Sequence, residues 1–228
     1  MLLITLYACN GEQIDQESVA EQAEEPARAQ VGWLQGLGNG GFTVDGRSGW
    51  QHDEGHATGL FHTYDAFALG GGAPSHQIHV FLPRSALQGG GPYPLVVMHD
   101  GDTAFWLGGL ANKSWNADET VDALVSAGTI PEVIVVAVVP VARDVEYTHT
   151  DGFLGVVPCC GLEEWSDQLA EEIVPWFVAR YPVKRNPKAH LVVGSSHGGL
   201  AAFWSAVTHP EVFGNGAALS SSFWVGLD

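Results

Sequence analysis

Gly194-Ser195-Ser196-His197-Gly198-Gly199 is a G-x-S-x-G pattern with Ser196 at its centre. A serine hydroxyl is a weak nucleophile until a histidine takes its proton and an acid orients that histidine. The flanks of the pattern fit this chemistry. Residues 189–193 form a short apolar run of strand type, and residues 200–208 are helix-like. A sharp turn between strand and helix lifts the serine clear of a sheet. Gly194, Gly198 and Gly199 leave room for that turn and for close helix–strand packing. The His197 N–H falls at the helix N-terminus, where it can help hold an oxyanion. The residues therefore point to acyl transfer through a nucleophilic Ser196.

In this arrangement the partners come later in the chain, in the order Ser, Asp or Glu, His. Only 32 residues follow Ser196, and His209 is the one histidine among them outside the motif. It belongs to the helix and turn right after the elbow. His197 adjoins the nucleophile, so its ring heads away from the Ser196 hydroxyl. His99, at the end of an earlier strand, could lie near, but the base normally sits on a loop beyond a later strand. The expectation is that the acid and the base lie past Asp228 and that the fold lacks its last strands and helices.

A second oxyanion donor belongs to the loop after the earlier central strand. That loop is His99-Asp100-Gly101-Asp102-Thr103-Ala104-Phe105-Trp106, with the Gly101 and Asp102 amides as candidates. A polar strand-end turn without catalytic part is the plainer reading. Phe105, Trp106 and Trp224 are candidates to line a pocket for an aromatic or sugar ester. His52, His56, His62, His76 and His79 invite a metal reading. However, His52-Asp-Glu-Gly-His56 is not H-E-x-x-H, and Gly55 weakens a helix there. These are read as surface or loop histidines, and no metal site is assigned.

The elements that must position Ser196 follow from the hydrophobic pattern. Strands are predicted at residues 77–82, 93–98, 132–139, 189–193 and 216–220. Helices are predicted at 118–127, 163–180 and 200–208, the second bent or broken at Pro175. Residues 31–63 read as an irregular lead-in with first strands at a sheet edge, and 140–161 as a long polar loop. Apolar strands alternating with helices imply an α/β fold, a mostly parallel sheet covered on both faces. Right-handed crossovers then bring the strand ends, and Ser196, to one edge.

The chain has 228 residues, of which 46% are hydrophobic, enough for one domain with a sizeable core. Its formal charge of −17 repels phosphate backbones and argues against a nucleic-acid partner. Residues 1–9 are apolar but too short to span a bilayer. Leu6-Tyr7-Ala8-Cys9 resembles a lipobox with Cys9 as the lipidated residue, although Tyr7 is unusual there and a basic start is missing. Residues 10–30 are acidic and nearly free of large apolar side chains, as in a disordered tether. Residues 1–30 are thus assigned to a signal remnant and tether, and 31–228 to one incomplete hydrolase domain. The localisation expected is exported, lipid-anchored or periplasmic. Adjacent Cys159 and Cys160 are about 3.8 Å apart across a trans peptide. That is short for an unstrained bridge, so they are read as free thiols or as partners of cysteines elsewhere.

From residue 77 onward the chain resembles the esterase family of the α/β-hydrolase fold that includes enterochelin esterase, S-formylglutathione hydrolase, feruloyl esterase modules and antigen 85 mycolyltransferases. The matching stretches are LVVMHDG (95–101), VIVVAVVP (133–140), RDVEYT (143–148), EEIVPWFVARY (171–181), VGSSHGG (193–199) and HPEVFGNGAALSSSFWV (209–225). The enterochelin-esterase-like branch is the most similar, through the Asp-Gly turn and the Arg-x-x-Glu-Tyr-Thr stretch. The resemblance implies Ser196 as nucleophile, the His197 amide as oxyanion donor and an acyl-enzyme mechanism without metal or organic cofactor. It implies that Arg143, Glu146 and Tyr147 shape the site or brace its loop, a structural salt bridge being an equal alternative. It also implies a small-molecule, carbohydrate or siderophore-type ester as substrate. A binding-only lipoprotein with a degenerate fold, and an acyltransferase using the same serine, are the competing readings.

Overall fold

The computed structural model describes residues 31–109, 112–150 and 159–225. Eight strands form one sheet in the order β1-β2-β3-β4-β6-β5-β7-β8. They are β1 (Gly40–Val44), β2 (Arg47–His52), β3 (Gly59–Phe67), β4 (His76–Pro83), β5 (Leu95–Met98), β6 (Ile134–Val138), β7 (His190–Ser195) and β8 (Asn215–Leu219). The fold is of the α/β-hydrolase type, but its sheet is mixed. The ladders β6–β5, β5–β7 and β7–β8 are parallel. The first four strands form an antiparallel meander, joined to the parallel half by the antiparallel β4–β6 ladder. The sheet expected to be mostly parallel is parallel only in the half that carries the elbow.

The helices are α1 (Gly101–Ala104), α2 (Ala117–Ser126), α3 (Arg143–Glu146), α4 (Leu162–Gln168), α5 (Val174–Arg180) and α6 (His197–Thr208). A π-helical turn, Leu169–Ile173, joins α4 to α5. Pro175 lacks the N–H that a continuous α-helix needs, and the π turn absorbs the mismatch just before it. The chain bends without breaking, and Leu169, Ala170, Ile173, Val174 and Phe177 all stay buried.

β6 shows why its sequence is apolar without alternation. Ile134, Val136 and Val138 face a large core built with Trp165, Leu169, Ile173, Phe177, Leu200 and Ala201, from α4, the π turn, α5 and α6. Val135 and Ala137 face a second core with Phe61, Phe81, Ala104 and Phe105, closed by Val121 of α2. A strand buried on both faces has no polar side to show. The first six residues of β3 are all buried too, although His62 and Thr63 are among them.

Candidate active site

β7 and β5 lie side by side, with Val193 opposite Met98, and the His99 amide donates to the Val193 carbonyl at 2.9 Å. This brings the loop after β5 against the turn between β7 and α6. Ser196 occupies that turn with φ 57° and ψ −121°, a conformation that costs an L-residue on the order of 1–3 kcal/mol. Hydrogen bonds hold it there. Its N–H donates to the Leu219 carbonyl at 3.0 Å, and its carbonyl accepts from Gly199 and Leu200 at 3.1 Å and from Ser222 at 3.0 Å. The Ser196 side chain is exposed beyond the strand ends.

The glycines around it are dictated by contact. A Cβ on Gly194 would collide with the Gly198 carbonyl, and one on Gly199 with the Ser221 hydroxyl. A Cβ on Gly198 would stand 2.7 Å from the Asp100 carboxylate. The first turn of α6 therefore packs directly on β7 and on the β5 loop, as a G-x-S-x-G-G sequence allows.

In the β5 loop, Asp100 adopts left-handed backbone angles, φ 56° and ψ 52°, and α1 begins at Gly101. Gly101 is pressed against β6, where a Cβ would come within 2.7 Å of the Ala137 and Val138 carbonyl carbons. Gly101 and Asp102 head α1 as His197 heads α6, and leading helical amides lack intrahelical acceptors. Two sets of donors thus begin at adjacent strand ends. The Asp100 carboxylate takes a two-point ion pair from Arg143, Nε to Oδ1 at 2.6 Å and an Nη to Oδ2 at 2.9 Å. The Asp100 amide donates to the Tyr147 hydroxyl at 3.1 Å. Glu146 accepts the Val141 and Ala142 amides at 2.9 and 2.8 Å. Burial pushes the Asp102 carboxyl up, with Asp100 adding to it. Burial pulls His197 down, and Arg143 adds to that.

Other predicted site residues are placed differently. Phe105 is 4% exposed and packs within the second core, not on an open surface at the strand ends. Trp106 packs on Phe61 and His79, and its indole N–H donates to Glu54 at 3.0 Å, which assigns it to the sheet face. Glu146 and Tyr147 are buried and act as braces, not as pocket walls. Trp224 does remain at the elbow, half exposed, with its ring 6.2 Å from that of His197. Cys9 lies outside the described residues.

The histidines also correct the sequence reading. His62, His76 and His79 are buried rather than on the surface. His62 bridges the Tyr181 hydroxyl and the Gln51 side chain at 2.8 and 2.9 Å, and His79 meets the Thr63 hydroxyl at 2.9 Å. A strand of alternating polar and apolar letters hides such pairs, because a histidine with a polar partner is buried like an apolar residue. His99 sits at the expected strand end, but its ring points into the core against Tyr147 and Trp165, and burial lowers its pKa to about 4. Among the described residues, the hydrogen-bond partner of the Ser196 hydroxyl is Ser222, at 3.2 Å between oxygens. Cys159 and Cys160 are drawn together as a vicinal sulfur pair, against the expectation of separate thiols.

Ser222 lies outside the elbow motif that marks Ser196. Its signal is the run Ser220-Ser221-Ser222 directly after an apolar strand, at the same sheet edge as the elbow.

Residues 74–226, about two thirds of the chain, match the family described as Putative esterase, and the chain belongs to that family. A curated relative, the uncharacterized protein YbbA of Bacillus subtilis, is 25% identical over 158 residues, 67% of this chain and 59% of its own length. The enterobactin esterase FES of Shigella flexneri, solved with enterobactin, superposes with a TM-score of 0.57 at 19% identity, covering 77% of this chain and 39% of that one. An IroE-like serine hydrolase of Shewanella oneidensis gives 0.56 at 22% identity, over 66% and 48% of the respective chains. These likenesses establish the fold. The chain spans between about two fifths and three fifths of the length of these proteins.

Proposed function

We propose that the chain is the nucleophile-bearing part of an exported serine carboxylic-ester hydrolase. The observation that carries this reading is the exposed Ser196 at φ 57°, ψ −121° between β7 and α6, beside the leading amides of α6 and α1. Ser196 Oγ attacks the ester carbonyl while a base removes its proton. The carbonyl oxygen gains the negative charge and is held by the His197 amide with that of Gly101 or Asp102. Collapse expels the alcohol, which leaves with the proton, and an acyl-enzyme remains on Ser196. Water then attacks that ester, releasing the acid and restoring the serine. The base and the acid that orients it are assigned to a continuation of the chain past Asp228. The Ser196 partner among the described residues, Ser222, can do neither task.

Membership of an esterase family supports the reaction class. The likeness to enterobactin esterases supports a small-molecule ester as substrate, with a siderophore-type ester as one member of that class. Lipid anchoring at Cys9 and export rest on the Leu6–Cys9 pattern.

A fluorophosphonate probe tests this directly. Peptide mapping should place the label on Ser196 in a product extended past Asp228. The 228-residue chain should react at least ~100-fold more slowly, because removing the base and acid leaves only residual catalysis by binding and oxyanion donors. Label elsewhere, or none, in the extended protein defeats the assignment. Equal rates for the two products defeat the outside supply of base and acid.

A further inference from the structure

The mechanism above leaves a charge unexplained. Asp100 holds its carboxylate against the first turn of α6, 2.7 Å from where a Gly198 Cβ would stand. That turn and the head of α1 are where an oxyanion would be bound. A bare carboxylate there would oppose the negative charge developing on the substrate carbonyl. The chain instead caps it with Arg143 in a side-on fork that uses both carboxylate oxygens. A guanidinium suits this task because its planar donors match a carboxylate and it stays charged.

The rest of α3 is built around the same loop. Tyr147, next in sequence, receives the Asp100 amide, and Glu146 ties down the amides of Val141 and Ala142 after β6. Arg143 is only about one-third exposed, at 31%, and its guanidinium lies 5.3 Å from the Tyr147 ring centre. Arg143 is also the cation whose charge reaches His99, Asp102 and His197, which follow the ends of β5 and β7.

We propose that Arg143 is a positioning residue for the reaction: it cancels the Asp100 charge beside the oxyanion site and locks the loop that presents the Gly101 and Asp102 amides. This rests on the reading of Ser196 as nucleophile. One consequence concerns the substrate. With two guanidinium nitrogens committed to Asp100, Arg143 is directed at the loop rather than at a substrate carboxylate.

The test is a double-mutant cycle on the extended protein, with p-nitrophenyl butyrate turnover, fluorophosphonate labelling and thermal melting measured together. Arg143→Gln leaves the carboxylate bare and is expected to lower kcat about 100-fold, with KM changed less than about threefold. Asp100→Asn removes the harmful charge along with the fork and is expected to lower kcat only about fivefold. The double variant should match Asp100→Asn, recovering at least ~10-fold over Arg143→Gln. Arg143→Lys keeps charge without the fork and should fall between. A purely structural ion pair can also be rescued, but in melting temperature, so the discriminating result is rescue of kcat among variants whose melting temperatures agree. A double variant no better than Arg143→Gln overturns the proposal. Should Arg143→Gln not fold, Asp100→Asn decides: turnover equal to wild type, or a 100-fold loss, overturns it. Wild-type protein that is not labelled at Ser196 defeats the nucleophile assignment and this inference with it. Labelled wild type with a failed cycle defeats this inference alone.

Discussion

The Ser196 hydroxyl stands 3.2 Å from that of Ser222, and the Ser222 amide returns a 3.0 Å hydrogen bond to the Ser196 carbonyl. The segment after β8 thus fixes both the backbone and the hydroxyl of the elbow. Ser222 is buried while Ser196 is exposed, so the contact is covered on the Ser222 side only. A hydroxyl is no general base at neutral pH, and the two serines have separable roles. Ser196→Ala should abolish fluorophosphonate labelling and esterase turnover in the extended protein. Ser222→Ala should change the labelling rate less than about fivefold, read by gel fluorescence against time.

The elbow glycines should be intolerant of a methyl group. Gly194→Ala drives its Cβ into the Gly198 carbonyl, and Gly198→Ala drives one into Asp100. Each is expected to cost about 2–4 kcal/mol in urea unfolding, the range of overpacked or strained sites. Gly38→Ala, which meets nothing within 4 Å, should stay within about 0.5 kcal/mol.

Stability should fall on mild acidification. Burial holds His62 at about 3 and His79 and His99 at about 4 in the folded protein, against 6.5 when exposed. The unfolded chain therefore binds more protons between pH 6.5 and 4. The contribution of these histidines is fully present above pH 6.5 and is lost as the pH drops through the folded values. Each adds up to about 1.4 kcal/mol per pH unit of that window. Melting curves from pH 7.5 to 4.5 should show the decline, and His79→Gln should flatten it.

The outer face of α6 and the chain after β8 should drive self-association. Phe203, Val207, Leu219, Phe223 and Trp224 are each 43–60% exposed, and the Phe203 and Phe223 rings pack edge-on at 5.2 Å. β8 adds a sheet edge, and exposed apolar edges recruit neighbours. Light scattering of the 228-residue chain should show concentration-dependent growth, reduced by Phe203→Ser with Val207→Ser. A stable monomer at high concentration counts against this.

Some of the chain was legible and some was not, for physical reasons. β5, β6, β7 and α6 announce themselves, because strands inside a sheet carry near-continuous apolar runs and the elbow motif marks its own turn. Residues 31–63 read as a lead-in with first strands at a sheet edge, which is where β1, β2 and the start of β3 lie, but their bounds are not legible. β3 buries His62, Thr63 and Tyr64 among apolar neighbours, which erases the alternation that marks a strand. α3 is a four-residue helix inside a polar loop, too short for any periodicity. Its Arg143 and Glu146 were identifiable by resemblance, but the choice between pocket wall and brace needed the bonds to Asp100, Val141 and Ala142. Phe105 and Trp106 misled because an aromatic after a strand-end loop looks the same whether it turns outward or back onto the sheet.

The β5–β7 ladder has a kinetic side. Leu95 pairs with His190, about 95 residues later in the chain, while the partners of β4 and β6 are made earlier. During synthesis at ~5–20 residues per second, one edge of β5 waits roughly 5–20 s for the strand that completes it. The antiparallel meander can be seated on the nascent sheet throughout that interval. The nucleophile is thus installed late, and the waiting β5 edge stays open to mispairing until β7 is made.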